Sequence, residues 1–199
     1  MSRRMGKIAN SKDLLMLLLY AKGHKGQLCE PIRGRTRLMK IVFLFEKEIR
    51  RNFNLEKVIP PEAIPDFTPY EYGPFSPRVY TDLEFLVELG FVKVTPVGEA
   101  DVLEAERTEY QYWQATTGQE AEEDEPFFGE EFSLTKLGKS FVEEGEAGKL
   151  TDEQWRILNE FKARCTGASL GALLRYVYTK YGDMTTKSKI RDEILSNET

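Results

Sequence analysis

Few residues in this chain of 199 could carry out enzyme chemistry. His24 is the only histidine, so a nucleophilic triad would have to use it, and it lies in a turn-like run at 22–26. Cys29 and Cys165 are far apart, and one histidine with two cysteines cannot complete a closed zinc site without a carboxylate. Neither a P-loop nor a dinucleotide-binding glycine motif occurs. We therefore predict no catalytic residues, no metal and no cofactor, and a protein that is not an enzyme.

Charge is distributed unevenly along the sequence, although the net charge is only −5. Residues 1–57 hold 14 Lys/Arg against 5 Asp/Glu, residues 58–150 hold 6 against 21, and residues 151–199 hold 8 against 7. Such asymmetry favours an electrostatically steered partner, because a local field acts on a phosphate or a basic surface whatever the net charge. The alternative is a soluble protein whose charges only keep it dispersed.

Most of the candidate nucleic-acid-binding residues share one face of a predicted helix over 36–51. At 100° per residue, the basic side chains fall within roughly 40° of one direction, and the apolar stripe of this helix points elsewhere. The basic face consists of Arg33, Arg37, Lys40, Lys47 and Arg51, of which Arg33 stands before the predicted helix start. Arg78, at the N-terminal end of a later helix, is placed where a guanine-reading side chain would be. These six residues predict contacts with DNA.

A second candidate surface is the acidic excursion at about 117–131. A run of carboxylates repels itself and stays hydrated, so it is not typical of a catalytic pair. Two phenylalanines inside the run could dock on a basic partner protein, although a tongue that folds back onto its own core explains them too. The candidate protein-interaction residues are Glu122, Glu123, Asp124, Phe127 and Phe128.

Periodicity and capping signals predict a mainly α protein with a small antiparallel β-hairpin or sheet. Predicted helices cover 12–22, 36–51, 77–89, 135–144, 151–165, 170–181 and 186–195, and predicted strands cover 91–95, 109–117 and 131–134. Ser11 and Ser76 are the expected N-caps of the first and third helices, and Thr151 with Gln154 forms a capping box. The proline-rich residues 58–75 are expected to be an ordered loop, because aromatic residues alternate with the prolines.

This order of elements is that of a winged helix-turn-helix core with additional C-terminal helices. We divide it into a winged-helix-like domain at 1–150, which includes the acidic excursion, and a C-terminal helical extension at 151–199. The longest apolar run, residues 14–21, has 8 residues, whereas a membrane span needs roughly 20. The low cysteine usage fits a reducing, cytoplasmic setting. The sequence leaves the oligomeric state open, a homodimer being one option.

Several segments carry a resemblance to a known family. Residues 37–45, the Tyr-Gly-Pro-Phe-Ser-Pro-Arg-Val-Tyr block at 72–80, and residues 89–92 resemble the SocA-like (Panacea-domain) antitoxin superfamily, and within it the YwgA-like bacterial and archaeal proteins. Leu134-Thr135-x-x-Gly138 and the motif from Tyr178 to Ile190 are similar to later parts of the pattern. The chain departs from the pattern at Met39, where a polar residue is usual, and in the acidic excursion. The resemblance implies a binding protein rather than an enzyme.

Two functions from different classes follow. The first is a non-enzymatic winged-helix regulator that places helix 77–89 in the major groove, while the basic face, Arg3, Arg4 and Lys7 contact phosphates. Three carboxylates on that helix, Asp82, Glu84 and Glu88, oppose this by repelling phosphates. The alternative is an antitoxin-like or defence-associated module that binds a toxin or nuclease through the acidic excursion. The first is slightly favoured.

Overall fold

The computed structural model describes residues 7–97 and 129–196, which are mainly helical with a small antiparallel sheet, as the sequence predicts. The elements in chain order are α1 (Ser11–Tyr20), β1 (Ile32–Arg33), α2 (Arg35–Leu44), β2 (Thr68–Tyr70), β3 (Gly73–Phe75), α3 (Pro77–Glu88), β4 (Val92–Val97), β5 (Gly129–Leu134), α4 (Lys136–Phe141), α5 (Asp152–Gly167), α6 (Leu170–Lys180) and α7 (Arg191–Ser196).

Two of the predicted helices do not stay α-helical to their ends. The helix predicted over 36–51 is α2 followed by a π-helical segment at Phe45–Arg50, and α4 continues as a π segment at Val142–Glu146 and a 3-10 turn at Ala147–Lys149. A π turn holds one more residue than an α turn, so the side chains after Leu44 are rotated away from the directions that a regular wheel assigns. Further 3-10 turns lie at Leu55–Lys57, Pro61–Ala63 and Gly182–Thr185.

The three-stranded sheet joins distant parts of the chain. β5 lies between β1 and β4 and is antiparallel to both, with Phe132 opposite Ile32 on one side and Val94 on the other. β2 and β3 form a separate hairpin inside the segment predicted as a loop. The short strands β1, β2 and β3 were not predicted. The strand predicted over 109–117 lies outside the described residues.

The core is continuous from α1 to α6. Leu14, Leu15 and Leu17 on α1 are fully buried in this core, so burial inside the protein accounts for the apolar run at 14–21. Phe161 on α5 and Val177 on α6 belong to the same cluster, so the C-terminal helices pack directly on the N-terminal ones. Within 7–97 and 129–196, no helix is both long and apolar enough to cross a bilayer.

Local capping signals were predicted with mixed success. The Thr151–Gln154 capping box is present. The helix α3 begins with Ser76 at the N-cap position and Pro77 after it, but the Ser76 side chain makes no capping hydrogen bond. The prediction for α1 is wrong by one residue, because the side chain of Asn10 accepts from the backbone N–H groups of Lys12 and Asp13. Ser11 is instead buried and donates to Asp82 of α3.

The segment at 72–80 leads into α3 and packs against α6 and the β2–β3 hairpin. Gly73 has a φ of +87°, and a Cβ there would lie 3.0 Å from the ring of Tyr178 on α6. The Phe75 ring lies 5.0 Å from the Tyr70 ring and 5.4 Å from the Tyr80 ring. These contacts fix the direction in which the chain enters α3.

Candidate nucleic-acid interface

The helix α3 presents an apolar face to the core and a mixed face to solvent. Val79, Leu83 and Leu86 are buried on the core side. The solvent side carries Arg78, Thr81, Phe85 and Glu88. The residues able to contact a ligand along this helix are therefore fewer than the sequence indicates.

Asp82 does not face solvent, contrary to the sequence-based expectation. Its side chain is only 5% exposed, and the Nζ of Lys12 lies 3.0 Å from its Oδ1. Ser11 donates a hydrogen bond to Oδ2, and the Nε of Arg78 lies 3.7 Å from the same oxygen. The N-terminal turn of α1 and the first turn of α3 thus surround this carboxylate with two cations and a hydroxyl, which offset its field towards solvent.

Glu84 is likewise engaged within the fold, through Arg35 at the start of α2. The Nη1 of Arg35 lies 2.9 Å from Glu84 Oε1, and its Nε and Nη2 lie 2.6 and 3.2 Å from the two carboxylate oxygens of Glu130 on β5. Burial acts to lower the pKa of Arg35, but the hydrogen bonds that Arg35 donates to both carboxylates, and the charges of those carboxylates, outweigh it and raise that pKa. The guanidinium also lies 5.5 Å from the Phe132 ring centre. Sequence reasoning missed Arg35, because only tertiary structure brings its two partners together.

These pairings change the charge of the exposed surface of α3. Glu88 is the one carboxylate of this helix whose residue is exposed. Lys12 extends over the Phe85 ring, with its Nζ 5.0 Å from the ring centre, so it lies beside the exposed face. We call Lys12, Arg78, Thr81 and Phe85 the α3 surface. It has a cation from each of two helices around a hydroxyl and an aromatic ring.

The predicted basic face of α2 is not one continuous surface, and that prediction is wrong. Lys40 is fully buried, and its Nζ donates to the carbonyl of Pro74 at 3.1 Å. Arg37 is half-buried and donates from Nη1 to the carbonyls of Cys165 and Ala168, at 2.6 and 2.7 Å. Arg33 lies on β1, half-buried and opposite Glu131 of β5. These three basic residues bind acceptors or neighbours inside the protein.

The other two residues of that face are exposed. Lys47 lies on the π segment, its Nζ 5.7 Å from the Phe43 ring centre. Arg51 follows the π segment, is 67% exposed, and lies 3.3 Å from Glu46 Oε1. The extra residue of the π turn separates both from the direction of Arg37 and Lys40. They are accessible to phosphates, as is Lys7, whereas Arg3 and Arg4 lie outside the described residues.

The candidate protein-interaction residues Glu122, Glu123, Asp124, Phe127 and Phe128 lie outside the described residues. Only the last part of the acidic excursion is described, as the beginning of β5.

His24 and the two cysteines form no constellation of their own. The Nδ1 of His24 lies 2.8 Å from Oε1 of Glu30, whose carboxylate is buried beneath the loop at 22–30. Cys29 is half-buried and Cys165 is buried, and burial raises the pKa of both thiols, that of Cys165 to about 12. In the described part of the chain, no group of three or more His, Cys, Asp or Glu residues could hold a metal ion.

Comparisons with known proteins add no relative: no family model matches the sequence, and neither a curated protein nor a solved structure is significantly similar to it.

Proposed function

We propose that this chain is a non-enzymatic winged-helix regulatory protein that binds DNA with α3 in the major groove. The observation that carries the proposal is the internal pairing of Asp82 and Glu84, because it removes two of the three carboxylates that would repel phosphates there. Of the two cations beside Asp82, Arg78 lies in the first turn of α3, the end from which recognition helices contact base edges, and Lys12 lies on α1. Both are partly exposed and keep the charge that Asp82 does not offset.

The topology supports the same proposal. Apart from the β2–β3 hairpin, the elements follow the order α1, β1, α2, α3, β4, β5, and β5 lies between β1 and β4 in the sheet. This order corresponds to three helices with a small sheet, in which a wing would connect β4 and β5. A helix-turn-helix usually has a turn of three or four residues, whereas this chain has a long segment between α2 and α3 that contains the β2–β3 hairpin. The hairpin supports the first turn of α3 through Phe75 and Tyr80.

Three side chains of the α3 surface have distinct places in this proposal. Arg78 contacts a guanine edge, since its side chain is 45% exposed and lies at the start of the helix. Lys12 contacts a phosphate beside the groove, and Thr81 lies between them. Lys47 and Arg51 add sequence-independent contacts with the DNA backbone.

The proposal is tested by selecting duplexes from a randomised library with the purified protein and measuring the affinity of an enriched duplex by fluorescence anisotropy. The decisive variant is Thr81→Glu, because Thr81 is exposed and, among the residues that the structure describes, its hydroxyl donates only to the carbonyl of Pro77. The new carboxylate would face the phosphates without disturbing a buried ion pair. We expect the dissociation constant to rise at least about tenfold, which corresponds to ~1.4 kcal/mol.

The matched control is Thr179→Glu, the same change at an exposed position of α6. This control should leave the dissociation constant within about twofold, and both variants should keep the wild-type melting temperature within a few degrees. Wild-type binding should weaken steeply with salt. The absence of an enriched duplex at low ionic strength, or equal effects of the two substitutions, would overturn the proposal.

A further inference from the structure

A cavity of about 310 Å³ lies between the end of α2, the π segment, α5 and α6. Its walls are mostly apolar and include Leu44, Ile49, Phe161 and Leu173. Two small residues, Ala168 and Ala172, line it where α5 turns into α6, so no side chain fills the space between the helices. A volume of this size is within the range of small-molecule sites.

One side of the cavity carries a fixed carboxylate, that of Glu48 on the π segment. Its Oε1 accepts hydrogen bonds from the hydroxyls of Tyr176 and Tyr181 and from Lys180 Nζ, at 2.8, 2.9 and 2.9 Å. Partial burial acts to raise the pKa of Glu48, but these three donors outweigh it and lower that pKa. In the described part of the chain no donor reaches Oε2, so this oxygen of an ionised, immobilised carboxylate remains open to a ligand.

The other charged residue of the lining is Arg164 on α5, which is exposed. Among the described residues, no carboxylate lies within ion-pair distance of it. The cavity therefore combines an apolar wall with one open carboxylate oxygen and one unpaired guanidinium. Neither an apolar molecule nor a simple ion uses all three features.

We infer that the cavity binds a small zwitterion with an apolar body, of the class of apolar α-amino acids. Its ammonium donates to Oε2 of Glu48, its carboxylate pairs with Arg164, and its side chain contacts Ile49, Phe161 and Leu173. π turns within α-helices occur frequently at functional sites, and here the π turn is the feature that places Glu48 and Ile49 on the cavity wall. This inference is independent of DNA binding.

The test compares three probes that share a phenyl ring: L-phenylalanine, 3-phenylpropanoate and 2-phenylethylamine. Isothermal titration calorimetry of the full chain should show saturable binding of L-phenylalanine, with a dissociation constant at least tenfold below those of the two fragments. Arg164→Gln should weaken the binding of L-phenylalanine and of 3-phenylpropanoate about tenfold and leave 2-phenylethylamine unchanged. Glu48→Gln should weaken the binding of L-phenylalanine and of 2-phenylethylamine about tenfold and leave 3-phenylpropanoate unchanged.

Arg156→Gln is the matched control, because Arg156 is also an exposed arginine of α5 and pairs with Glu153 and Glu160 outside the cavity lining. It should leave all three affinities unchanged. Ala172→Phe should abolish binding by occupying the cavity, while circular dichroism shows an unchanged fold. No saturable binding of L-phenylalanine, equal affinity for all three probes, or equal effects of Arg164→Gln and Arg156→Gln would each overturn the inference.

Discussion

Lys162 in the middle of α5 should make the stability of this protein rise with pH above neutrality. Its side chain is fully buried, and its Nζ donates to the carbonyls of Leu19, Ala21 and Glu30 at 2.8, 2.8 and 2.7 Å. The first two carbonyls belong to the C-terminal end of α1, where a cation is favourable. Burial nevertheless lowers the pKa of Lys162 to about 7, although the charges of Cys29 and Glu30 act to raise it.

The magnitude follows from the difference between the folded and unfolded pKa values. A lysine in the unfolded chain titrates near 10.5, about 3.5 pH units higher, and each unit corresponds to ~1.4 kcal/mol. Between pH 7 and 10.5 the unfolded chain binds more protons than the folded one, so the free energy of unfolding rises with pH across this window. The full penalty, about 5 kcal/mol at most, is present below about pH 7.

Urea denaturation followed by circular dichroism at pH 6.5 to 9.5 measures this effect in the wild type and in Lys162→Met. Methionine has a similar shape and no proton to lose, so other titrating groups affect both proteins alike. The free energy of unfolding of the wild type minus that of the variant should rise by about 0.5 to 1.4 kcal/mol per pH unit. Lys136→Met, at an exposed position of α4, should run parallel to the wild type. A difference between wild type and Lys162→Met that stays constant with pH would refute the reasoning.

Two further substitutions test the contacts around α3. Gly138→Ala should destabilise the protein by about 1 to 3 kcal/mol, because a Cβ there would lie 2.1 Å from the carbonyl oxygen of Phe91. The control is Gly145→Ala, which has open space around its Cβ and should leave the stability unchanged. Equal urea midpoints for the two variants would contradict the contact between Gly138 and Phe91. Arg35→Met should cost about 3 kcal/mol, because it leaves Glu84 and Glu130 without their partner. Adding Glu84→Gln and Glu130→Gln should recover part of that loss in the same assay, and no recovery would mean that the charges are not the cause.

The parts of the fold that the sequence predicts well depend on neighbouring residues. The capping box of α5 and the proline at the first position of α3 involve residues within one turn of each other, so a local pattern can indicate both. The strand β1 has two residues and exists only because β5 pairs with it, which no local pattern indicates.

The candidate site was harder to predict, because a helical wheel gives directions around one axis and says nothing about what covers each direction. Lys40 was placed correctly away from Leu38 and Ile41, yet the turn at Pro74 covers that side of α2, and the Pro74 carbonyl accepts a hydrogen bond from Lys40 Nζ. Arg37 meets the carbonyl end of α5 in the same way. The π turn then changes the wheel itself after Leu44, which separates Lys47 from both.

The positive charge of residues 1–57 is therefore a poor measure of an external field. Arg35 and Lys12 neutralise carboxylates of α3 and β5, Arg50 pairs with Glu46, and Lys40 binds a backbone carbonyl. The first three cations cannot attract a distant phosphate at full strength, because a carboxylate partner offsets the charge at close range, and Lys40 is fully buried. The DNA binding that we propose therefore relies on the exposed Lys47 and Arg51 and on the α3 surface, where Lys12 and Arg78 keep only the part of their charge that Asp82 does not offset. For the same reason, Thr81→Glu should weaken binding more than neutralising Lys40, whose charge is buried beneath the 72–80 block.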